Sequence, residues 1–413
     1  MTFVSFICFG IFVLLMISLF KKDTDVFSPA RLFVIIWSLA IGLTDLKLSR
    51  YQIIWTDFSW IMILISLFSM LTGMFIVYVI NIDKPVKKID FVRNSFKENF
   101  FDSSKLFRYV IFLFQAYIVS YIVSALVIGF VPLFTLYPGV ARNDWGIFGF
   151  GLFVQSFPAI IYLIILYYII TKGQRKEKIL LAFIFFVTSF TYALLLQRYY
   201  VVFAIILSAV SMYYMTNLLR LKNVLVITVI IMIVIFSMTF VRLTGTISNY
   251  LYYLSDMKFN VKYALFTEPY MYVAMNLENY AHSVDKINNF TYGIFSFDFV
   301  FALAGIKHQV VEYLRLPKYP FLLSNNYNTY TMFFIYYWDF GILGLGLIPM
   351  MLGALFSKLY YKMRRNPNLN TISVYSIFSF VIIFSFFIPI ISFLHFAFNL
   401  LIIYFVTKKI TAL

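Results

Sequence analysis

Residues 58–80 read FSWIMILISLFSMLTGMFIVYVI and contain no charged side chain. At a rise of 1.5 Å per residue, a helix over this stretch is about 34 Å long, enough to cross the roughly 30 Å hydrocarbon core of a bilayer. Similar apolar runs recur at about 2–20, 28–45, 57–80, 108–129, 151–171, 179–197, 199–217, 223–241, 330–356, 372–390 and 391–407. The sequence therefore predicts an all-α polytopic membrane protein with about eleven transmembrane helices, forming a single integral membrane domain over 1–413.

The composition supports this fold class. Hydrophobic residues make up 62% of the chain and charged residues only 12%, whereas soluble domains average about 45–50% and about 25%. The excess apolar surface has to face lipid. The net charge of +16 does not indicate nucleic-acid binding, because the basic residues form short clusters between apolar runs. Cys8 is the single cysteine, which excludes an internal disulfide and a cysteine-based metal site.

The Lys and Arg residues predict the orientation of the chain. With the N-terminus outside and the C-terminus in the cytoplasm, the inner segments hold most of the 33 basic residues, as the positive-inside rule requires. These inner clusters lie at 21–31, 84–108, 172–178, 220–222, 358–365 and 408–409. An additional crossing within 290–306 would place the cluster at 358–365 outside, so we expect that apolar stretch to dip into the bilayer at most.

Three segments then lie outside the membrane. Two are 46–56 and the Pro- and Gly-rich 130–150, and the third is a long extracytoplasmic loop over 242–329. This loop mixes aromatic with polar residues at helix-like spacing, which predicts helices lying on the membrane surface. The last two apolar runs are short and are separated near Pro389, so a re-entrant hairpin is an alternative there.

Arginines beside the outer helix ends are the clearest functional signal. An arginine at a helix centre costs at least about 2.5–3.5 kcal/mol on insertion scales, and the planar guanidinium matches phosphate oxygens. We expect Arg198 and Arg242 to bind substrate. Arg142 reads equally as a ligand-binding residue or an interfacial anchor, and Arg50 reads as an anchor.

Further polar residues lie in the long loop and at the start of the ninth helix. His308, His282 and Glu268 are candidates for a general base, although a lone surface His or Glu is more often simply solvated. His308 has Glu312 at helical i, i+4 spacing. Substrate-binding candidates in this region are Arg315, Asn328, Thr329 and Asp339. Asn328 reads equally as a helix cap, while Asp339 lies in an apolar helix where a carboxylate needs a partner.

Five features together resemble one family. They are FSPARLFVIIWSL at 27–39, G-x-x-P-L-F followed by Arg at 129–142, the Gln-Arg pair at 197–198, the arginine at 242, and N-T followed by D-F-G-x-x-G at 328–344. With the helix layout, they make the chain similar to the bacterial oligosaccharide repeat-unit polymerases of the Wzy type, which build O-antigen or capsular polysaccharide.

This resemblance implies a GT-C-like glycosyltransferase of the bacterial plasma membrane that uses no nucleotide sugar, metal or cofactor. A growing glycan on undecaprenyl diphosphate would be transferred to a hydroxyl of a new lipid-linked repeat unit. The arginines would neutralise the departing diphosphate in place of a metal. The implied partners are the undecaprenyl-diphosphate-linked oligosaccharide and membrane lipid, with chain-length regulator and flippase proteins as candidate partners and no nucleic acid.

Other functions remain open from sequence alone. A lipid-linked oligosaccharide flippase or transporter would use inverted repeats and short loops on both sides, and the long outer loop disfavours it. The related O-antigen ligases carry a His-Asn pair where this chain has Tyr327 and Asn328, so their base does not carry over. A membrane O-acyltransferase would need a catalytic histidine near a helix, and His395 is the one candidate.

Overall fold

The computed structural model describes residues 2–21, 24–96, 101–170, 174–219, 247–317 and 320–411, together with the single positions 223, 226 and 233. No β-strand occurs in these ranges, and one isolated bridge pairs Ser49 with Met257. The first helices are α1 Phe3–Ser18, α2 Pro29–Asp45, α3 Asp57–Ile80, α4 Ile89–Asn94, α5 Ser103–Ile128, α6 Pro138–Ala141, α7 Phe150–Val154, α8 Phe157–Ile170, α9 Arg175–Ala193 and α10 Arg198–Met215. They are followed by α11 Ile247–Leu254, α12 Thr267–Lys286, α13 Asp298–Leu303, α14 Lys307–Tyr313, α15 Phe334–Arg365, α16 Leu369–Phe384 and α17 Leu394–Thr411. Short 3-10 turns lie at Pro132–Phe134, Val261–Phe266 and Ile390–Ser392.

Within the described residues, six helical stretches are long and apolar enough to cross a membrane. They are Asp57–Ile80, Ser103–Phe134, Phe150–Ile170, Arg198–Met215, Phe334–Arg365 and Leu394–Thr411. This confirms the all-helical fold and is consistent with a multi-pass membrane protein. The count of eleven spans stays a prediction, and most of the predicted run at 223–241 lies outside the described residues.

Local chemistry explains where several helices begin and end. The Thr56 hydroxyl caps α3 by accepting from the Ser59 amide at 3.1 Å. The Asp102 carboxylate caps α5 in the same way, accepting from the Lys105 amide at 2.9 Å. At the other end of α5, Gly129 takes the left-handed conformation (φ 81°) that stops the helix. Of these bounds, only the start of α5 lies away from the one that hydropathy predicts, at Ser103 and not at 108.

The described contacts divide the chain into two compact units, each made of three separate stretches. Unit 1 comprises Met1–Pro85, Thr246–Tyr361 and Val381–Ala397. Unit 2 comprises Val86–Gly245, Lys362–Phe380 and Phe398–Leu413.

Hydrogen bonds join connecting segments of unit 2 that are distant in sequence. The Lys87 amide donates to the Arg364 carbonyl at 3.2 Å, and Arg93 Nε donates to the Tyr213 carbonyl at 2.9 Å. At the ends of α5 and α9, the Leu133 amide donates to the Leu194 carbonyl at 3.1 Å. The orientation of these segments relative to the membrane stays a prediction.

In unit 1, two glycines allow α3 and α15 to cross in backbone contact. A Cβ placed on Gly73 would lie 1.9 Å from the Met350 carbonyl oxygen, and one on Gly353 would lie 2.1 Å from the Met70 carbonyl oxygen. Small residues at such crossings are the usual means by which membrane helices approach closely.

We expect Gly73→Ala to destabilise unit 1 by about 1–3 kcal/mol, since the added methyl forces the two backbones apart. The measurement is the thermal unfolding midpoint in detergent. Gly10→Ala is the matched control, because no atom lies within 4 Å of the Cβ position on that glycine of α1. An unchanged midpoint in Gly73→Ala would contradict the close crossing.

A kink interrupts α15 at Gly341, whose backbone (φ 59°, ψ −143°) is outside the helical region. The Phe290 ring packs against this glycine so closely that a Cβ would lie 2.8 Å from its nearest carbon. Glycine is required here on both counts, since the conformation is strained for other residues and there is no room for a side chain.

The long loop differs from its prediction in one respect. Within 242–329, the largest helix is α12, which packs on α2 and α3 with most of its residues buried. It is therefore an internal helix of unit 1 and not a helix resting on the membrane surface. In 290–306 the helix is α13, whose six residues rise about 9 Å, too little for a crossing.

Candidate functional site

Arg198 is held at the outer predicted end of unit 2, where α9 turns into α10. It is the first residue of α10, follows the N-cap residue Gln197, and is half-buried. Leu196 makes the turn in a left-handed conformation (φ 56°). The Gln197 side-chain oxygen accepts from the Tyr192 hydroxyl at 2.9 Å, which fixes the turn against the end of α9.

Arg142 approaches the same end from the neighbouring segment. It follows the short helix α6, is half-buried, and its Nε donates to the Gly139 carbonyl at 3.1 Å. The Leu133–Leu194 hydrogen bond joins the start of this segment to the turn before Arg198. The structure thus brings the Arg142 segment and the Arg198 turn to one end of unit 2.

Electrostatics makes this end favourable for an anion. The N-terminus of a helix carries a partial positive charge of about half an elementary charge, so a cation there gains nothing from the helix dipole. Arg198 nevertheless occupies the first position of an 18-residue helix. Guanidinium and helix terminus together favour a bound phosphate, which is also the ligand whose oxygens match the arginine fork.

In unit 1, Glu268 and Thr329 both lie along one face of α12, Glu268 as one of its residues and Thr329 as a hydrogen-bond partner two turns further on. On α12, Glu268, Tyr272 and Asn276 follow each other at i, i+4 spacing and share one face. The Thr329 hydroxyl donates to the Asn276 side-chain oxygen. Burial raises the pKa of Tyr327 to about 12, and the nearby Glu268 charge adds to the rise. Glu268 is buried, so its carboxylate belongs to an internal polar stripe.

The neighbouring predicted residue Asn328 is exposed. It caps no helix, because α15 begins only at Phe334. The segment that holds Asn328 and Thr329 is anchored by Asn279, whose Nδ2 donates to the Tyr327 and Thr329 carbonyls at 2.6 and 3.0 Å. Asn328 therefore projects from a fixed backbone.

The candidate bases do not converge on one point. His282 and Glu268 lie on the same helix fourteen positions apart, about 21 Å along its axis, so they cannot act on the same proton. His282 is half-buried, and burial together with the Lys286 charge lowers its pKa. His308 is exposed on α14, and among the described contacts no hydrogen bond joins it to Glu312. Arg315 is exposed just after α14 with a left-handed backbone (φ 49°).

Asp339 has a structural role in the described fold. Its carboxylate is fully buried and accepts from the Ser296 amide at 2.6 Å, the Phe295 amide at 3.3 Å and the Thr291 hydroxyl. These bonds fasten the loop before α13 to α15. The carboxylate thus has the partners that its burial requires, and they are backbone and hydroxyl donors.

Glu278 has four hydrogen-bonding partners in unit 1. It pairs with Lys47 and accepts from Gln52 Nε2 at 3.0 Å, the Ile53 amide at 3.2 Å and Trp55 Nε1 at 2.9 Å. Burial raises the pKa of Glu278, although the Lys47 charge opposes the rise. The network ties the segment 46–56 to α12, so Glu278 anchors this segment.

Sequence reading missed residues that contact the arginine end of unit 2. Trp145 lies three residues after Arg142, packs on the Tyr121 ring at 5.2 Å between centroids, and donates from Nε1 to the Phe130 carbonyl at 3.0 Å. The sequence signal that could have identified Trp145 is its position as a tryptophan within the Gly- and Pro-rich segment 130–150.

Arg242 lies outside the described residues. Within the described ranges, no three His, Cys, Asp or Glu side chains group in a way that would hold a metal ion.

Comparisons of this chain with protein-family models, with curated proteins and with solved structures found no match.

Proposed function

We propose that this chain is a membrane glycosyltransferase that polymerises undecaprenyl-diphosphate-linked repeat units into O-antigen or capsular polysaccharide. Its site faces outward from the bacterial plasma membrane, with the N-terminus outside, the C-terminus in the cytoplasm and about eleven spans. The observation that carries the proposal is the pair of half-buried arginines, Arg142 and Arg198, on hydrogen-bonded neighbouring segments of unit 2.

The reaction needs what such arginines supply. An acceptor hydroxyl oxygen forms a bond to the anomeric carbon of the donor sugar, while the bond from that carbon to the diphosphate breaks. The bonding electrons leave with the diphosphate oxygen, where guanidinium groups stabilise the developing charge. The hydroxyl proton passes to a general base.

The decisive experiment supplies purified wild-type protein in lipid nanodiscs with lipid-linked oligosaccharide extracted from the host's own membranes and no nucleotide sugar. We expect a ladder of glycans that lengthens by whole repeat units. Movement of the lipid-linked oligosaccharide across a vesicle bilayer with no ladder would support a flippase instead. Transfer to an acceptor that carries no lipid diphosphate would support a ligase, and either result would reject the polymerase.

A further inference from the structure

The buried face of α5 changes its chemistry along its length. Its buried positions are Leu106, Val110, Leu113, Tyr117, Ser120, Tyr121 and Ser124, which repeat mainly at alternating spacings of four and three. This is the spacing of one continuous helix stripe. The first half of the stripe is aliphatic and the second half carries hydroxyls, so the buried face becomes polar toward the end near the arginines.

The buried face of α9 changes in the same direction. Leu181 and Ile184 are followed by Thr188 and Tyr192 as the helix approaches its C-terminal end. α5 and α9 contact each other through the Tyr117 hydroxyl, which lies 2.9 Å from the Thr191 hydroxyl. The hydroxyl-bearing halves of both helices therefore lie together, below the Arg142 segment and the Arg198 turn.

Three of these hydroxyls have no hydrogen-bond partner among the described residues. They belong to Tyr121, Ser124 and Thr188, and all three side chains are more than nine-tenths buried. An unsatisfied buried hydroxyl costs about 1–3 kcal/mol. Polar groups kept in this condition point to a ligand that satisfies them.

The segment 130–150, which contains Trp145, packs against this end of α5 and is flanked by glycines. Trp145 packs on the Tyr121 ring and closes the stripe from above. Glycines with positive φ flank the segment, with Gly129 (81°) at its start and Gly146 (135°) and Gly149 (81°) at its end. Such glycines permit backbone rotation that other residues resist. Displacement of Trp145 would expose the Tyr121 ring that it packs against.

We propose that Tyr121, Ser124 and Thr188 form a carbohydrate subsite beneath the Trp145 segment, which holds a sugar of the lipid-linked oligosaccharide. The assignment rests on the proposed function for the nature of the lipid. Neutral hydroxyls both donate and accept hydrogen bonds, which suits sugar hydroxyls, whereas the arginines suit the diphosphate. An indole ring adds the apolar face that sugars pack against.

The test uses Tyr121→Phe, Ser124→Ala and Thr188→Val, each of which removes one hydroxyl. Binding to protein in nanodiscs is measured by native mass spectrometry with two probes: undecaprenyl diphosphate, and lipid-linked oligosaccharide from host membranes. We expect about tenfold weaker binding of the sugar-bearing lipid in Tyr121→Phe, with binding of undecaprenyl diphosphate unchanged. The unfolding midpoint should stay equal or rise, because the removed hydroxyl had no partner to lose.

Tyr162→Phe is the matched control, since the Tyr162 hydroxyl lies 2.6 Å from the Ser373 hydroxyl and accepts from Ser211 at 3.2 Å. It should lower the unfolding midpoint and leave the binding of both probes unchanged. Unchanged binding in all three hydroxyl variants would overturn the subsite, and equal weakening of both probes would overturn its assignment to sugar. If wild-type protein binds the sugar-bearing lipid but forms no ladder, the polymerase proposal fails while the subsite stands.

Discussion

Arg198→Ala is expected to reduce polymerisation at least about 100-fold, the usual effect of removing one group that stabilises a developing negative charge. Arg198 is the first residue of α10 and is half-buried, so its guanidinium acts at the positive end of the helix dipole with restricted access to water. The loss should appear in the rate of chain growth at saturating lipid-linked oligosaccharide, measured as the glycan ladder over time.

Two variants separate this effect from a general loss of positive charge. Arg198→Lys keeps the charge but not the forked geometry, so it should retain only part of the activity. Arg50→Ala should keep wild-type activity, because Arg50 is exposed and pairs with Asp256 at 3.1 Å on the surface of unit 1. Wild-type chain growth in Arg198→Ala would remove the proposed phosphate role, provided that the variant has the wild-type unfolding midpoint.

Glu278→Ala is expected to destabilise the folded protein by about 3–5 kcal/mol, since removing one partner leaves the other charge of a buried pair uncompensated. Lys47 would lose its carboxylate, and Gln52 Nε2, the Ile53 amide and Trp55 Nε1 would lose their acceptor. The segment 46–56 would then detach from α12. A lower unfolding midpoint and faster proteolysis within 46–56 are the measurements.

The double variant Lys47→Met with Glu278→Ala provides the control. Removing both charges should recover part of the lost stability, because no uncompensated charge is then left at a site where the Lys47 side chain is 22% exposed and the Glu278 side chain 0%. If Glu278→Ala alone unfolds at the wild-type temperature, the network does not anchor the segment 46–56.

Several helices were predictable because lipid imposes a simple rule on sequence. The run at 57–80 corresponds to α3, Asp57–Ile80, which is long and apolar enough to cross a membrane, and the run at 28–45 corresponds to the helix α2, Pro29–Asp45. Such runs need only length and apolarity. The start of α5 was placed five residues late, at 108, because Asp102 caps a polar first turn that hydropathy does not register.

The candidate site was predictable only in part, since hydrogen bonds between distant residues leave no periodic signal. Glu278 accepts from Gln52 across more than two hundred residues, and no local pattern in either segment indicates it. Arginines beside helix ends were recognisable as costly residues in an apolar setting. The hydroxyls of Tyr121 and Ser124 were not, because a buried Tyr or Ser in a helix usually finds a partner nearby.

The Gly341 kink has a consequence for the lipid around the protein. Beyond it, α15 continues through residues 342–365 for about 36 Å, slightly more than a hydrocarbon core of about 30 Å. The last turn holds Lys362, Arg364 and Arg365, which suit one head-group layer, so the kink falls near the opposite one. Asp339 accepts a hydrogen bond from the loop before α13. A shift of α15 along its own axis, which would relieve hydrophobic mismatch, would break this bond. In a thinner bilayer, α15 matches the hydrocarbon thickness by tilting, or the surrounding acyl chains stretch.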